Sequence, residues 1–418
     1  MSTAPEPGVA TGPVSGNARG PHRDARSGGL VVALGLAMGP AVALGLARFA
    51  YALLLPAMRT DLGWSFSTAG VMNTANALGY LAGALAAAPL GRRVGSRAAF
   101  VGGLVVTVLA LVASAASANL GLLLVLRVLA GVAGAVSFVV GAGLAAHAGA
   151  RHGPRRAAVL LGVYFAGGGA GIAVSGLVIP TLLAHTSAGV GWRVGWLLLG
   201  GLALLATASS LPAVRAVDAP RLSRDRVDRW PVRSLLVLLG AYTLFGAGYI
   251  AYMTFIVAFL KREGAGSGEI SSFWVVLGVA AIIGGFAWGP LFDRLRGGRG
   301  LAVVLAVVTA GALLPLLSAS TAAVFGSAVL FGASFLAVVT AVTALARTSL
   351  HARHWTPAIA TLTVAFAVGQ CTGPVLAGLL SDGPNGVRTG LALSVVVLAA
   401  ATTLAPLQPH ADPTPDAP

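Results

Sequence analysis

The chain has 418 residues, 57% of them hydrophobic and only 9% charged, with a formal net charge of +15. Soluble proteins carry about 25% charged residues, which excludes an ordinary water-soluble fold. An excess of positive charge would otherwise point to nucleic acid, and here a membrane accounts for it. Cys371 is the single cysteine, which excludes an internal disulfide and a multi-cysteine metal site.

Residues 1–28 are rich in Pro, Gly, Ser and Arg and lack the apolar core of a signal peptide. They read as a disordered cytoplasmic tail. Twelve apolar runs follow, each long enough for the ~20 residues that cross a hydrocarbon core as helix. They are continuous, without the short alternating segments of a membrane barrel. The first six are predicted at 29–57, 67–90, 98–117, 120–146, 157–183 and 194–213, forming an N-terminal bundle over 29–214. A polar linker, 215–233, separates them from spans at 234–260, 270–291, 300–318, 321–345, 356–381 and 387–406. These form a C-terminal bundle over 234–406, and 407–418 reads as a cytoplasmic tail. The fold class is therefore all-α membrane protein.

The first span carries Gly45-Leu-Ala-Arg48-Phe49-Ala-Tyr51. A charge near the bilayer centre costs about 3 kcal/mol on the insertion scale, so such a residue normally faces protein or a watery cavity. On the second span Asn73, Asn76 and Tyr80 share a helical face, at i, i+3 and i+7. The fourth carries Arg127 within Arg127-Val-Leu-Ala-Gly131-Val-Ala-Gly134-Ala135. The fifth holds Gly162, Gly167, Gly168, Gly169, Gly171 and Gly176, small residues that allow close helix approach. On the seventh, Tyr242, Phe245, Tyr249 and Tyr252 fall on one side. Thr363, Phe366 and Gln370 do so on the eleventh.

Twenty of the 27 basic residues lie in the N-terminal segment and in alternate connections, against five in the other connections. The positive-inside rule then places both termini in the cytoplasm. A shift of 201 residues lays Gly45–Tyr51 on Gly246–Tyr252, Pro89–Arg93 on Pro290–Arg294, and Gly131 on Gly332. Repeats of this kind describe a transporter that binds its solute between two similar halves.

The segment Gly289-Pro-Leu-Phe-Asp293-Arg294-Leu-Arg296-Gly297-Gly298-Arg299 resembles the loop signature of the major facilitator superfamily. The resemblance implies twelve transmembrane helices in two pseudo-symmetric six-helix bundles. It also implies gating roles for Asp293 and Arg294. The first-half counterpart keeps Arg93 and the basic part but has Arg92 where the acid should be, so the gating pair does not carry over there. The Arg127 segment resembles the superfamily element whose arginine is associated with proton coupling. Arg48 to Met58, with Ala69-Gly70 and Asn76-Ala-Leu-Gly79-Tyr80, resembles the YbfB/YjiJ-type branch. Spans 1, 4, 7, 10 and their neighbours line the cavity in that fold. This makes Arg48, Tyr51, Asn73, Asn76, Tyr80, Tyr249, Tyr252 and Gln370 the candidate substrate contacts.

All twelve acids lie in tails, connections or helix ends, and no histidine is mid-span. Arg48 and Arg127 thus have no fixed negative partner in the membrane interior. One reading is that they attract an anionic group, which suits the planar fork of arginine. The other is that they bond carbonyls, Asn73, Asn76 or tyrosines and fix packing. No phosphate-binding loop for ATP is present, and the spans lack the clustered acids or histidines of a membrane enzyme. The expected function is secondary transport of a small, anionic or partly apolar organic solute by proton-coupled efflux across the cytoplasmic membrane. Uptake of a carboxylate or nutrient, or a non-transporting receptor, are the alternatives. The expected partners are the solute, the lipid bilayer and protons. No nucleic acid, cofactor or metal is expected, and the unit is read as a monomer.

Overall fold

The computed structural model describes residues 21–150, 153–217, 230–295 and 297–409, and no strand occurs among them. Helix α1 is a single rod in three pieces: Pro21–Pro40 as α-helix, Ala41–Phe49 as π-helix, and Tyr51–Leu62 as α-helix again. It begins at Pro21, ahead of the start at residue 29 expected from sequence. The first bundle continues with α2 (Phe66–Val94), α3 (Ser96–Ala115), α4 (Leu120–Ala150), α5 (Pro154–Ala184) and α6 (Ala188–Ala216). After the linker come α7 (Leu236–Arg262) and α8 (Ser267–Ala287), the latter extended by the short helix Gly289–Arg294. Then follow α9 (Arg299–Leu317), α10 (Thr321–Ser349), α11 (Trp355–Ser381) and α12 (Val387–Leu404).

Eleven helical stretches among the described residues are long and apolar enough to cross a membrane. The twelfth long helix, α2, is less apolar because it carries Asn73, Thr74, Asn76, Arg92 and Arg93. The rods present leucine and valine outward, as at Leu109, Leu205, Leu317 and Val396, which is how a helix meets lipid. The two ends of the burial scale differ in role. The apolar window of α1 is 67% buried and that of α7 83%, against 33% for α11 and α12, so α1 and α7 run through the middle.

Connections are short and locally encoded. Gly63 takes φ 65°, the left-handed conformation that closes α1. Two residues later Ser65 caps α2, its hydroxyl accepting from Thr68 N at 3.1 Å.

The 201-residue repeat is visible in the packing. Gly83 of α2 sits against the backbone of Val132 on α4, and Gly284 of α8 sits against Ala333 on α10. Both partners are 201 residues apart. Gly131 likewise meets Asn76 and Tyr80 on α2, as its counterpart Gly332 meets Leu277 on α8. The two six-helix bundles meet along two seams, α5 with α8 and α2 with α11. Backbones nearly touch there: a Cβ on Gly278 would lie 2.6 Å from the Gly169 carbonyl oxygen. The α5 glycines thus serve two neighbours, with Gly167 and Gly171 turned to α1, and Gly169 and Gly176 to α8.

Candidate functional site

The site starts from Pro40. Proline has no N–H to continue an α-helical ladder, and the chain beyond it winds as a π-helix through Phe49. The wider turn shows in the bond from Ala50 N to Gly45 O at 3.0 Å, five residues back. π-helical turns are rare and collect at functional sites. A second group holds this one: Arg127 Nη1, from α4, donates to the carbonyl of Ala47 at 2.6 Å. The next residue, Arg48, projects into a cavity of about 340 Å³ between the two bundles.

Arg48 is 3% exposed, and its Nε and Nη2 are buried without a hydrogen-bond partner. Its guanidinium carbon lies 5.0 Å from the ring centre of Tyr80 and 6.0 Å from that of Phe49. Among the described residues that line the cavity Arg48 alone is charged, and none is an acid or a histidine. The facing wall comes from α7, α10 and α11 and is aromatic. Tyr249 and Phe366 stand 5.6 Å apart with planes 9° from parallel, and Phe245 and Tyr249 5.0 Å apart at 17°. Gln370 donates its amide N–H to the Tyr249 hydroxyl oxygen.

The cavity extends from mid-helix toward the face where α5, α7 and α11 begin. The lining includes Gly162 near the start of α5 and Phe292 beyond α8. The opposite face is closed across the seam between α2 and α11. Asp382, just past α11, accepts from Phe66 N at 2.6 Å and Ser67 N at 3.0 Å, the first N–H groups of α2. A carboxylate is favoured at a helix N-terminus. Burial alone would raise the Asp382 pKa. The bonds from Ser67 and Phe66, with Arg59 nearby, outweigh it and hold the carboxyl below its ordinary range. Arg59 also lies 3.8 Å over the Phe66 ring. Deeper in the seam, Thr74 donates to the Cys371 carbonyl at 2.7 Å, and Asn73 donates to Thr254.

With this geometry in hand, the relatives are informative. The family described as "Uncharacterised MFS-type transporter YbfB" matches residues 40–406. The chain belongs to that family. It is 27% identical to the inner membrane transport protein YdhP of Escherichia coli strain K12 over 314 residues, covering 73% of this chain and 77% of that protein. The folds of two solved transporters are similar. One is a bacterial homologue of the human lysosomal transporter Spinster, in an inward-facing, unoccupied conformation. It has TM-score 0.66 and 16% identity, over 93% of this chain and 97% of the other. The second is the nucleoside transporter NupG, with TM-score 0.68 and 10% identity, over 91% and 98%.

In this MFS-type transporter the residues singled out from sequence separate into groups. Arg48, Tyr80, Tyr249 and Gln370 come together in the cavity. Tyr51 lies outside its lining. It stacks on Trp196 at 6.4 Å and donates to the Ala69 carbonyl at 2.9 Å. Tyr252, its repeat counterpart, also lies outside, paired with the Ser327 hydroxyl and stacked on Phe331. Asn73 bridges the halves, and Asn76 donates to the Arg127 carbonyl at 3.1 Å. Arg127 sits inside the first bundle, 5.1 Å over the Tyr51 ring and 5.6 Å over Trp196, its Nε and Nη2 unpartnered. Arg93 and Arg294 are exposed at helix ends on the basic face. The Asp293 side chain lies outside what is described. No cluster of three or more His, Cys, Asp or Glu that could hold a metal occurs among the described residues.

Sequence reasoning did not find the π-helix, the Asp382 contact, or Phe49, Phe138 and Phe335 as cavity walls. Pro40 was the visible signal for the first. The second follows an ordinary helix end, and nothing local marks it as a cap for a helix more than 300 positions away.

Proposed function

We propose that this transporter carries a small organic anion through the cavity by alternating access. It exports the anion across the cytoplasmic membrane, with both termini on the cytoplasmic side. The observation that carries the reading is Arg48: a buried cation in the cavity wall that makes no hydrogen bond among the described residues. An unsatisfied buried donor costs about 1–3 kcal/mol, more when charged. A solute carboxylate removes that cost while it is bound, and water replaces it when the cavity opens.

The orientation rests on the basic connections, which gather on the face toward which the cavity extends. In this orientation the conformation seen here faces the cytoplasm and is shut on the far side by Asp382 and the α2–α11 seam. Export follows from charge. An inside-negative membrane drives an anion outward by about 2.3 kcal/mol per 100 mV. The coupling proton implied by the superfamily resemblance finds no carboxylate or imidazole among the described lining residues, and this reading does not require one.

The test is flux in proteoliposomes holding the purified full-length chain, with radiolabelled organic anions and a potassium–valinomycin potential. Anion efflux should rise with an interior-negative potential and persist with a protonophore present. Arg48→Gln should insert, elute as wild type on gel filtration, and lose the flux. Wild-type flux by that variant would sink the anion role. Flux abolished by the protonophore at a clamped potential would replace voltage with protons as the drive.

A further inference from the structure

We infer that the solute is a flat monocarboxylate: one or two aromatic rings bearing a single carboxylate, with the carboxylate on Arg48 and the ring against the aromatic wall of α7, α10 and α11. This rests on the reading that the cavity is the solute's binding site.

The charged end is specified by Arg48, which makes no hydrogen bond among the described residues, its Nε and Nη2 being fully buried. A guanidinium offers parallel N–H bonds spaced to meet both oxygens of a carboxylate. The Tyr80 ring beside Arg48 brings a hydroxyl that has no hydrogen-bond partner among the described residues. The Tyr249 oxygen accepts from Gln370, so its own hydrogen remains to be donated. The polar groups converging on the cavity are therefore mostly donors, matched to an acceptor-rich anion. A second anionic group would meet no second cation among the described lining residues, and a buried unpaired charge is strongly disfavoured. Dicarboxylates are thereby disfavoured.

The other end is specified by how the rings lie. Phe366 is within 13° of parallel to Phe245 and 9° to Tyr249, and Tyr249 is within 19° of Phe335. Rings packed at random around an apolar blob would show mixed angles, as the Tyr80, Phe138 and Phe165 contacts do at 52° and 45°. A wall of aligned faces accepts another flat ring in offset stacking. Across from it Phe49 meets Phe335 edge-on at 85°, closing the slot. A volume of about 340 Å³ is at the small end of ligand pockets, which run about 300–1,000 Å³, and suits one or two rings.

The experiment is calorimetric binding to the purified full-length transporter in nanodiscs, with five probes. Benzoate and 2-naphthoate carry both features. Benzamide removes the charge, cyclohexanecarboxylate the planarity, and terephthalate adds a second carboxylate. Benzoate and 2-naphthoate should bind, benzamide about 30-fold or more weaker for loss of the charge-assisted pair. Cyclohexanecarboxylate should be weaker by about five- to tenfold for loss of stacking. Terephthalate should be weaker by about 30-fold or more for its unpaired charge. In Arg48→Gln the preference for benzoate over benzamide should vanish. Should that variant fail to fold, the double variant Phe335→Leu, Phe366→Leu serves. It should erase the preference for benzoate over cyclohexanecarboxylate and keep that over benzamide. Equal binding of benzamide, of cyclohexanecarboxylate or of terephthalate overturns the assignment, as does no binding of any probe. Selective binding without counterflow in proteoliposomes supports the site and removes the transport reading instead. Flux of anions irrespective of a ring leaves transport standing and removes this inference.

Discussion

Positions 48 and 249 correspond in the two halves of the repeat, and both line the cavity. One is an arginine in a π-helical turn and the other a tyrosine in an unbroken α-helix. Position 127 is a buried arginine and its counterpart, Ala328, a buried alanine. The first bundle therefore holds both membrane-interior cations, and the second faces one of them, Arg48, with an uncharged aromatic wall. The packing glycines do not follow this split, since Gly83 and Gly284 do the same work on opposite sides. Pseudo-symmetry is kept where backbones cross and abandoned at side chains such as those at 48 and 249, which face the cavity, and at 127 and 328, which do not. A close backbone crossing admits one solution, whereas a binding site profits from unlike walls that grip unlike ends of a ligand.

The comparison breaks most sharply at Arg48. Replacing it with Gln should weaken benzoate binding by about 100-fold, near the upper value of a charge-assisted pair. Arg48→Lys should recover only part, because an ammonium cannot offer the parallel fork. Tyr249→Phe on the opposite wall should cost about threefold, a single neutral hydrogen bond. A larger loss at Tyr249 than at Arg48 would reverse the assignment of halves.

The shared scaffold is tested by Gly83→Ala and Gly284→Ala. Each Cβ would press on a neighbouring backbone carbonyl, and overpacking of this kind costs about 1–3 kcal/mol. Thermal unfolding should fall by similar amounts in both. A large effect in one and none in the other would mean that the repeat is not structural.

A smaller effect is expected at Arg127. Its bond to the Ala47 carbonyl is worth about 1.5–3 kcal/mol as a charged hydrogen bond. Removing a cation whose other nitrogens are unpartnered returns part of that. Arg127→Gln should thus lower stability by about 1 kcal/mol and leave benzoate affinity within about threefold. Loss of binding equal to that of Arg48→Gln would place Arg127 in the site.

The most local effect belongs to Asp382. Its pKa is held below the ordinary value, so its contribution to the closed face is present above the ordinary value of about 3.9. That contribution disappears as pH falls through the depressed value. At neutral pH Asp382→Asn should reduce amide-exchange protection at Phe66 and Ser67 by about three- to tenfold. Wild type should resemble the variant only once pH falls below that depressed value. Equal protection in both at neutral pH would show that the seam closes without this carboxylate.

Much of the plan was legible beforehand. Twelve spans follow from run length, because a helix that satisfies its own backbone in hydrocarbon must be about 20 apolar residues long, and the repeat follows from the 201-residue register. The run that forms α2 was read like the others, although its Asn and Arg residues dilute the apolar signal. The cavity was legible in part. Arg48, Tyr80, Tyr249 and Gln370 stood out as polar groups on apolar helices, but so did Tyr51, Asn73, Asn76 and Tyr252, which bond elsewhere. Helical spacing tells which residues share a face and not which neighbour covers that face.

By itself the order of residues determined an all-helical, twice-repeated membrane bundle and the presence of two interior guanidinium groups lacking acids. Hydrocarbon length and the cost of buried charge are local rules that any stretch obeys wherever it packs. Tertiary structure alone decided that one guanidinium bonds the Ala47 carbonyl of α1 while the other is left bare before a wall of aligned rings. That division depends on the phase of a π-helical turn and on side chains arriving from helices some 200 to 300 positions away, and no local rule contains it.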